Sequence, residues 1–96
     1  MKLGGCMLIV SYDFSNNKVR AKFAKFLESY GVRLQYSVFE LKYSKRMLDL
    51  ILAEIENNYV PLFTNADSVL IFNAPDKDVI KYGYAIHREQ EVVFID

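Results

Sequence analysis

The run Leu8-Ile9-Val10-Ser11-Tyr12-Asp13 constrains the fold more than any other stretch of this chain. An apolar segment with no polar alternation belongs in the middle of a covered sheet. It ends in a carboxylate and is followed at once by the turn and capping residues Ser15, Asn16 and Asn17. A carboxylate at such a strand end is solvated, fixed by a rigid element and free to hold a metal ion. The next helix opens with Lys18, Arg20, Lys22 and Lys25. A fixed acid beside a basic helix start suits metal-assisted chemistry on a phosphodiester. The plainer alternative for Asp13 is a turn or helix-capping aspartate, a common role after a strand.

The 96 residues suffice for one domain, spanning 1–96, with no room for a second core. No apolar run approaches the roughly 20 residues of a membrane span. The residues before Ser11 do not read as a secretory signal. Cys6 is the single cysteine, which excludes an intramolecular disulfide and fits a reducing cytoplasm. Its place in the first strand predicts a buried, inert thiol. Domains of this size are marginal alone, so dimerisation is a natural supplement.

Lysine and arginine balance aspartate and glutamate at 12 each, yet the charge is segregated. Residues 1–50 carry nine basic and four acidic side chains, whereas residues 51–96 carry three and eight. Such asymmetry points to a polyanion on one side of the molecule, unless the fold mixes both halves on every face.

The first strand is expected from about Cys6 to Tyr12 and the first helix from about Asn17 to Tyr30. Val19, Phe23, Phe26, Leu27 and Tyr30 recur on one side of that helix, with Gly31 read as its left-handed cap. Lys18, Lys22 and Lys25 cluster opposite, and Arg20 lies at the edge of the apolar stripe. Cations in the first turns oppose the helix dipole by about 0.3–1 kcal/mol each, a cost consistent with a use for positive charge there or with a solubilising face. Two short strands follow near 33–36 and 38–42, with a tight turn or bulge at Ser37. Ser44 caps a second helix that Asn57-Asn58 and Pro61 stop. A strand over Ser68–Ala74 ends at Pro75, residues 76–83 form a loop or a single turn, and a final strand covers about 92–95. The fold class is therefore α+β, a ferredoxin-like βαββαβ sandwich with an extra C-terminal strand. Two helices on one sheet face leave the other open. Tyr36, Phe39, Tyr43 and the last strand supply apolar groups for a face-to-face homodimer, and that last strand can extend the partner's sheet edge.

The Tyr12-Asp13 strand end, the segment Lys18-Val-Arg-Ala-Lys22, Leu27, Tyr30-Gly31, Arg33, Gln35, the run Ser37-Val-Phe-Glu40 and Asp67-Ser-Val resemble the small CRISPR-associated Cas family two. The similarity covers about Met7 to Phe72. It implies a ferredoxin-like dimer that partners the spacer integrase and acts as a metal-dependent nuclease on RNA or double-stranded DNA. It further implies Asp13 as the metal ligand, with Tyr12 and Phe39 beside it in the catalytic group. Arg20, Lys22 and Arg33 match basic positions near the site, and Lys18 and Lys25 join them as nucleic-acid contacts. Lys22 stands where some relatives have arginine, which keeps the charge but loses a forked phosphate contact. Toxin-type ribonucleases of the virulence-associated class share the fold and the early aspartate, and are the rival within this resemblance.

One aspartate is a sparse ligand set for Mg2+ or Mn2+, which prefers octahedral oxygen ligation. A two-fold axis near the strand end lets Asp13 of each protomer grip one ion. Arg20, Lys22 and Arg33 can offset charge on the phosphoryl transition state. The general base is unassigned; His87, the only histidine, lies far along the chain in an expected loop. If the nuclease is absent, the same basic residues with Lys45 and Arg46 suit a non-catalytic adapter that tracks a nucleic-acid backbone. Tyr12, Phe39 and Phe72 without a Gly-Phe-rich strand argue against an RNA-recognition module. No phosphate loop or ligand cluster supports a small-molecule regulatory domain.

Overall fold

The computed structural model describes residues 5–83. Within them β1 (Cys6–Asp13), α1 (Asn17–Glu28), β2 (Gly31–Gln35), β3 (Val38–Lys42), α2 (Lys45–Glu54) and β4 (Ser68–Pro75) follow in chain order. The sheet runs β2-β3-β1-β4 with every neighbouring pair antiparallel. This is the expected ferredoxin-like arrangement, with the most apolar strand, β1, inside it. The strand expected near 92–95 and His87 lie outside the described residues.

Local chemistry sets the helix starts. Asn16 Oδ1 accepts from the backbone N–H of Lys18 at 2.8 Å and of Val19 at 3.0 Å. Ser44 Oγ accepts from the Met47 N–H at 2.9 Å and opens α2 in the same way. The end of α1 differs from expectation. Glu28 is the last residue of α1 and Ser29, in a right-handed conformation, caps it. Gly31 is the first residue of β2 and no left-handed cap. Its glycine is required by closeness: a Cβ there would collide with the Glu40 carbonyl oxygen and lie 2.8 Å from Leu41 Cγ on β3. The β2–β3 connection is the tight turn Tyr36-Ser37, as expected, and a separate register slip lies within β2 between Arg33 and Gln35.

Beyond α2 the chain continues through a π turn, Ile55–Tyr59, and a 3-10 turn, Val60–Leu62. The N–H of Val60 reaches back to the Ile55 carbonyl. That wider turn places both Ile55 and Tyr59 in the core, and Pro61, lacking an N–H, lies in the 3-10 turn that closes the helical run.

The core lies between the sheet and the helices. Leu8, Val10 and Tyr12 of β1 meet Phe39 and Leu41 of β3, Phe23 and Leu27 of α1, Ile51 of α2, and Phe14 and Tyr59. Phe23 is its centre, edge-on to Tyr12 at 5.0 Å and to Tyr59 at 4.8 Å.

Strand alternation puts Ile9, Ser11 and Asp13 on the opposite face, with Leu70 and Phe72 of β4 and Val38 and Glu40 of β3. Leu70 and Phe72 remain 55% and 52% exposed, so this face is incompletely covered. Two expectations for it are corrected. Phe39 pairs with Val10 and points with it into the core, fully buried, and Tyr43 packs against the core as well. The segment after the Asp76–Asp78 turn crosses the open face instead: Lys81 Nζ meets Glu40 Oε1 at 2.5 Å, and Val79 to Tyr82 line a groove with Ile9 and Val38. Cys6 is exposed, contrary to the buried thiol expected, because it pairs with Pro75 at the sheet margin, beyond the helix-covered core.

Candidate active site and nucleic-acid interface

Asp13 closes β1 opposite Ser68 of β4. Its side chain is exposed and has no hydrogen bond or ion pair among the described residues. A capping role is taken by Asn16 instead. Asp13 is therefore a free, solvated carboxylate on a rigid element, suited to a hard cation that takes one or two carboxylates and fills its remaining positions with water and phosphate. Among the described residues no group of three His, Cys, Asp or Glu side chains is close enough to hold a metal ion. Fewer than three such ligands therefore meet at this strand end within the described residues.

A second aspartate governs the loop behind it. Asp67 Oδ1 accepts from the Ser15 N–H at 2.9 Å and the Ser15 hydroxyl at 3.1 Å, while Oδ2 accepts from the Thr64 N–H at 2.9 Å. The backbone donors of Ser15 and Thr64 are the main reason its pKa lies below the ordinary carboxylate value. With both oxygens engaged, Asp67 is a clamp joining the β1–α1 loop to the loop before β4. Sequence reasoning quoted Asp67 but assigned it no role, since its partner Ser15 is 52 positions away.

On the helix side of the same strand end, two predicted cations converge on a residue that sequence reasoning had placed in a dimer contact. Arg20 Nε donates to the Tyr36 hydroxyl at 3.1 Å, Nη1 donates to the Phe14 carbonyl at 2.8 Å, and Nη2 donates to Asn17 Oδ1. Arg33 Nη1 donates to the Tyr36 carbonyl at 2.8 Å, and Nη2 lies 3.5 Å from Glu28. Both guanidinium carbons stand 5.9 Å from the Tyr36 ring centre, and that of Arg33 is 5.1 Å from the Phe39 ring. The Tyr12 N–H donates to the Ser37 carbonyl at 3.1 Å and pins the turn to the end of β1. Between these groups lies a recess of about 210 Å3 lined by Tyr12, Asn17, Arg20, Arg33 and Tyr36.

The structure thus brings Arg20, Arg33 and Tyr12 together and places Phe39 beneath Arg33. Phe39 is inaccessible, so its influence on a site runs through the guanidinium it supports. Tyr12 is nearly buried, and desolvation raises its pKa above the ordinary 10.0 despite the opposing charge of Arg33. Its hydroxyl stays protonated at neutral pH, a hydrogen-bond donor and not a base. Lys18, Lys22 and Lys25 stay exposed on α1 and do not join the recess; Lys22 Nζ instead sits 5.9 Å from the Tyr59 ring. From sequence Tyr36 read as the end of a strand and an apolar group of the dimer face, whereas it lies in the β2–β3 turn beside the two arginines.

The family model of CRISPR associated protein Cas2 matches residues 6–81. The chain belongs to the Cas2 family. That decides between the two families its sequence resembled. The chain is 43% identical over 47 residues to CRISPR-associated endoribonuclease Cas2 4 of Rhodospirillum rubrum, covering 49% of this chain and 38% of that one. It is 39% identical over 54 residues to CRISPR-associated endoribonuclease Cas2 of Mycobacterium tuberculosis, covering 56% and 48%. These matches span less than half the length of either relative. A Methanospirillum hungatei Cas2 endoribonuclease is 33% identical over 66 residues, covering 69% of this chain and 70% of its own. A crystal structure of Cas2 superimposes with a TM-score of 0.68 at 27% identity, over 95% of this chain and 97% of the other. A hypothetical protein from Thermus thermophilus gives 0.60 at 31% identity, over 72% and 80%.

Proposed function

We propose that this Cas2-family chain is a metal-dependent endonuclease of CRISPR systems, cleaving RNA or double-stranded DNA as a homodimer. The observation that carries this reading is the free carboxylate of Asp13 at a rigid strand end. The names of the relatives, endoribonucleases among them, support the reaction class.

Asp13 would hold Mg2+ or Mn2+; such an ion lowers the pKa of a bound water and polarises a phosphoryl oxygen. Arg20 and Arg33 carry positive charge at the same strand end, fixed by their bonds to Phe14, Asn17 and Tyr36, so little reorganisation is needed when they meet phosphate. Tyr12 keeps its proton at neutral pH and can donate a hydrogen bond. Lys18, Lys22 and Lys25 extend the contact along the backbone. Asp13 shares the open face with Leu70 and Phe72. A second copy packed on those apolar groups brings two Asp13 carboxylates toward one axis, supplying a second ligand.

The direct test is Asp13→Ala, assayed for Mg2+-dependent cleavage of single-stranded RNA and duplex DNA. Loss of cleavage with the dimer intact on size-exclusion chromatography is expected, and unchanged cleavage overturns the assignment. A second reading is a non-catalytic adapter with the CRISPR integrase subunit. It is favoured by the placement of Lys18, Lys22 and Lys25 outside the recess, where backbone binding needs no metal. Asp13→Ala that still supports spacer acquisition selects the adapter.

A further inference from the structure

The peptide that joins Phe14 to Ser15 is gripped on both edges. Its carbonyl accepts from Arg20 Nη1 at 2.8 Å, and its N–H donates to Asp67 Oδ1 at 2.9 Å. The two groups of a trans peptide point in opposite directions, so Asp67 and Arg20 stand on opposite sides of one planar unit. Phe14 itself is sunk in the core against the rings of Phe23, Tyr59 and Phe63, which anchors the unit from below. A negative charge sits at one end of this chain of hydrogen bonds and a positive charge at the other, and bonds in such a chain polarise and strengthen one another. Asp67 Oδ2 also takes the Thr64 N–H at 2.9 Å, so the carboxylate cannot turn away from Ser15 without giving up a second bond. The bonds to Thr64 and to the Ser15 hydroxyl are what a loop clamp needs. The bond to the Ser15 N–H does more, because the far edge of the same peptide holds a guanidinium.

We propose that Asp67 is a positioning residue for Arg20: by fixing the Phe14–Ser15 peptide it sets the direction of the carbonyl that holds the guanidinium. This deepens the nuclease reading and rests on it for the role of Arg20 at phosphate. Arg20 is a long side chain with much rotamer freedom to lose. Its Nε and Nη2 contacts go to the exposed side chains of Tyr36 and Asn17, whereas the Phe14 carbonyl is an acceptor fixed in the backbone. Among the described residues Arg20 has no carboxylate partner of its own, so its link to a negative charge runs through this peptide. Asp13 is the residue before Phe14, and it pairs with Ser68, the residue after Asp67. The same two strand ends therefore fix the acid and the cation relative to each other.

The experiment is a double-mutant cycle on the full chain, Asp67→Asn against Arg20→Gln, with two readouts. One is Mg2+-dependent cleavage of the RNA and duplex substrates used for Asp13→Ala. The other is the Arg20 Nε–H signal in NMR spectra, which needs no cleavage. Asp67→Asn keeps the shape and removes the charge, and it is expected to lower kcat about tenfold, as a misaimed group does. In the Arg20→Gln background the same substitution is expected to change kcat by less than about twofold, because the group it positions is gone. The Arg20 signal is expected to shift and to lose protection from solvent exchange in Asp67→Asn. Ser15→Ala drops only the hydroxyl bond and keeps the N–H on Asp67, so it is expected to leave that signal in place. Equal losses of kcat in both backgrounds mean that Asp67 supports the loop independently of Arg20, and overturn the proposal. An unchanged kcat or an unmoved Arg20 signal in Asp67→Asn overturns it as well, as does a signal that moves equally in Ser15→Ala. Where Arg20→Gln leaves too little cleavage to compare, or Asp13→Ala leaves cleavage intact and the nuclease reading falls, the Arg20 signal still decides this proposal.

Discussion

The two faces of the sheet are built to different standards. On the helix side Leu8, Val10, Phe23, Phe39 and Ile51 are wholly inaccessible, and the aromatic rings meet edge to face. On the other side Leu70 and Phe72 stay more than half exposed, with one ion pair, Lys81–Glu40, tying a crossing segment to the sheet. The first face is finished within one chain. The second carries the unpaired Asp13 beside uncovered apolar groups, the surface on which the proposed second copy would pack. Strand alternation sets the two faces apart: neighbours Tyr12 and Asp13 point to opposite sides, one into the core and one to solvent.

The sharpest way to break this contrast is to truncate one ring on each face. Phe23→Ala should cost about 3–5 kcal/mol of unfolding free energy, because it empties the centre of the aromatic cluster. Phe72→Ala should cost about 0.5 kcal/mol in dilute protein, where the open face is solvated. Urea unfolding followed by circular dichroism measures both. A Phe72 loss approaching that of Phe23, and growing with protein concentration, would mean that the open face is buried in the working molecule.

A smaller effect is expected at Asp67, which ties loops together where Asp13 ties nothing. Its folded-state pKa is depressed, so its contribution is fully present above the ordinary carboxylate value, near 3.8, and disappears as pH falls through the lower folded value. Asp67→Asn should be less stable than the parent at neutral pH, and the difference should shrink on acidification through that window. It should also speed hydrogen exchange at Ser15 and Thr64, measured by NMR, without affecting the amides of β3. The remaining effect is on the covered face itself. The Tyr59 hydroxyl is buried with no hydrogen-bond partner among the described residues, so Tyr59→Phe should be neutral or stabilising by up to about 1 kcal/mol in thermal unfolding. A loss there would reveal a partner for that oxygen.

Legibility followed the range of each interaction. The caps Asn16 and Ser44 were readable because their partners are two or three positions away. The central place of β1 was readable from its apolar run, and Phe23 and Leu27 from helical spacing. Gly31 was misread: its glycine follows from the approach of Glu40 and Leu41 on a neighbouring strand, and a cap rule based on adjacent residues does not register that. Phe39 was assigned to the wrong face because a bulge in β2 and a two-residue turn hide the alternation that its pairing with Val10 makes plain.

Residue order alone was enough for the βαββαβ succession, the covered β1 and the carboxylate at its end, since period-2 and period-3.6 patterns and local caps act between neighbours. Only the tertiary structure decided that Arg20 and Arg33 meet on Tyr36, that Asp67 holds Ser15, and that Asp13 stands free on the uncovered side. Those contacts join groups brought together by strand pairing, whose register depends on the whole sheet.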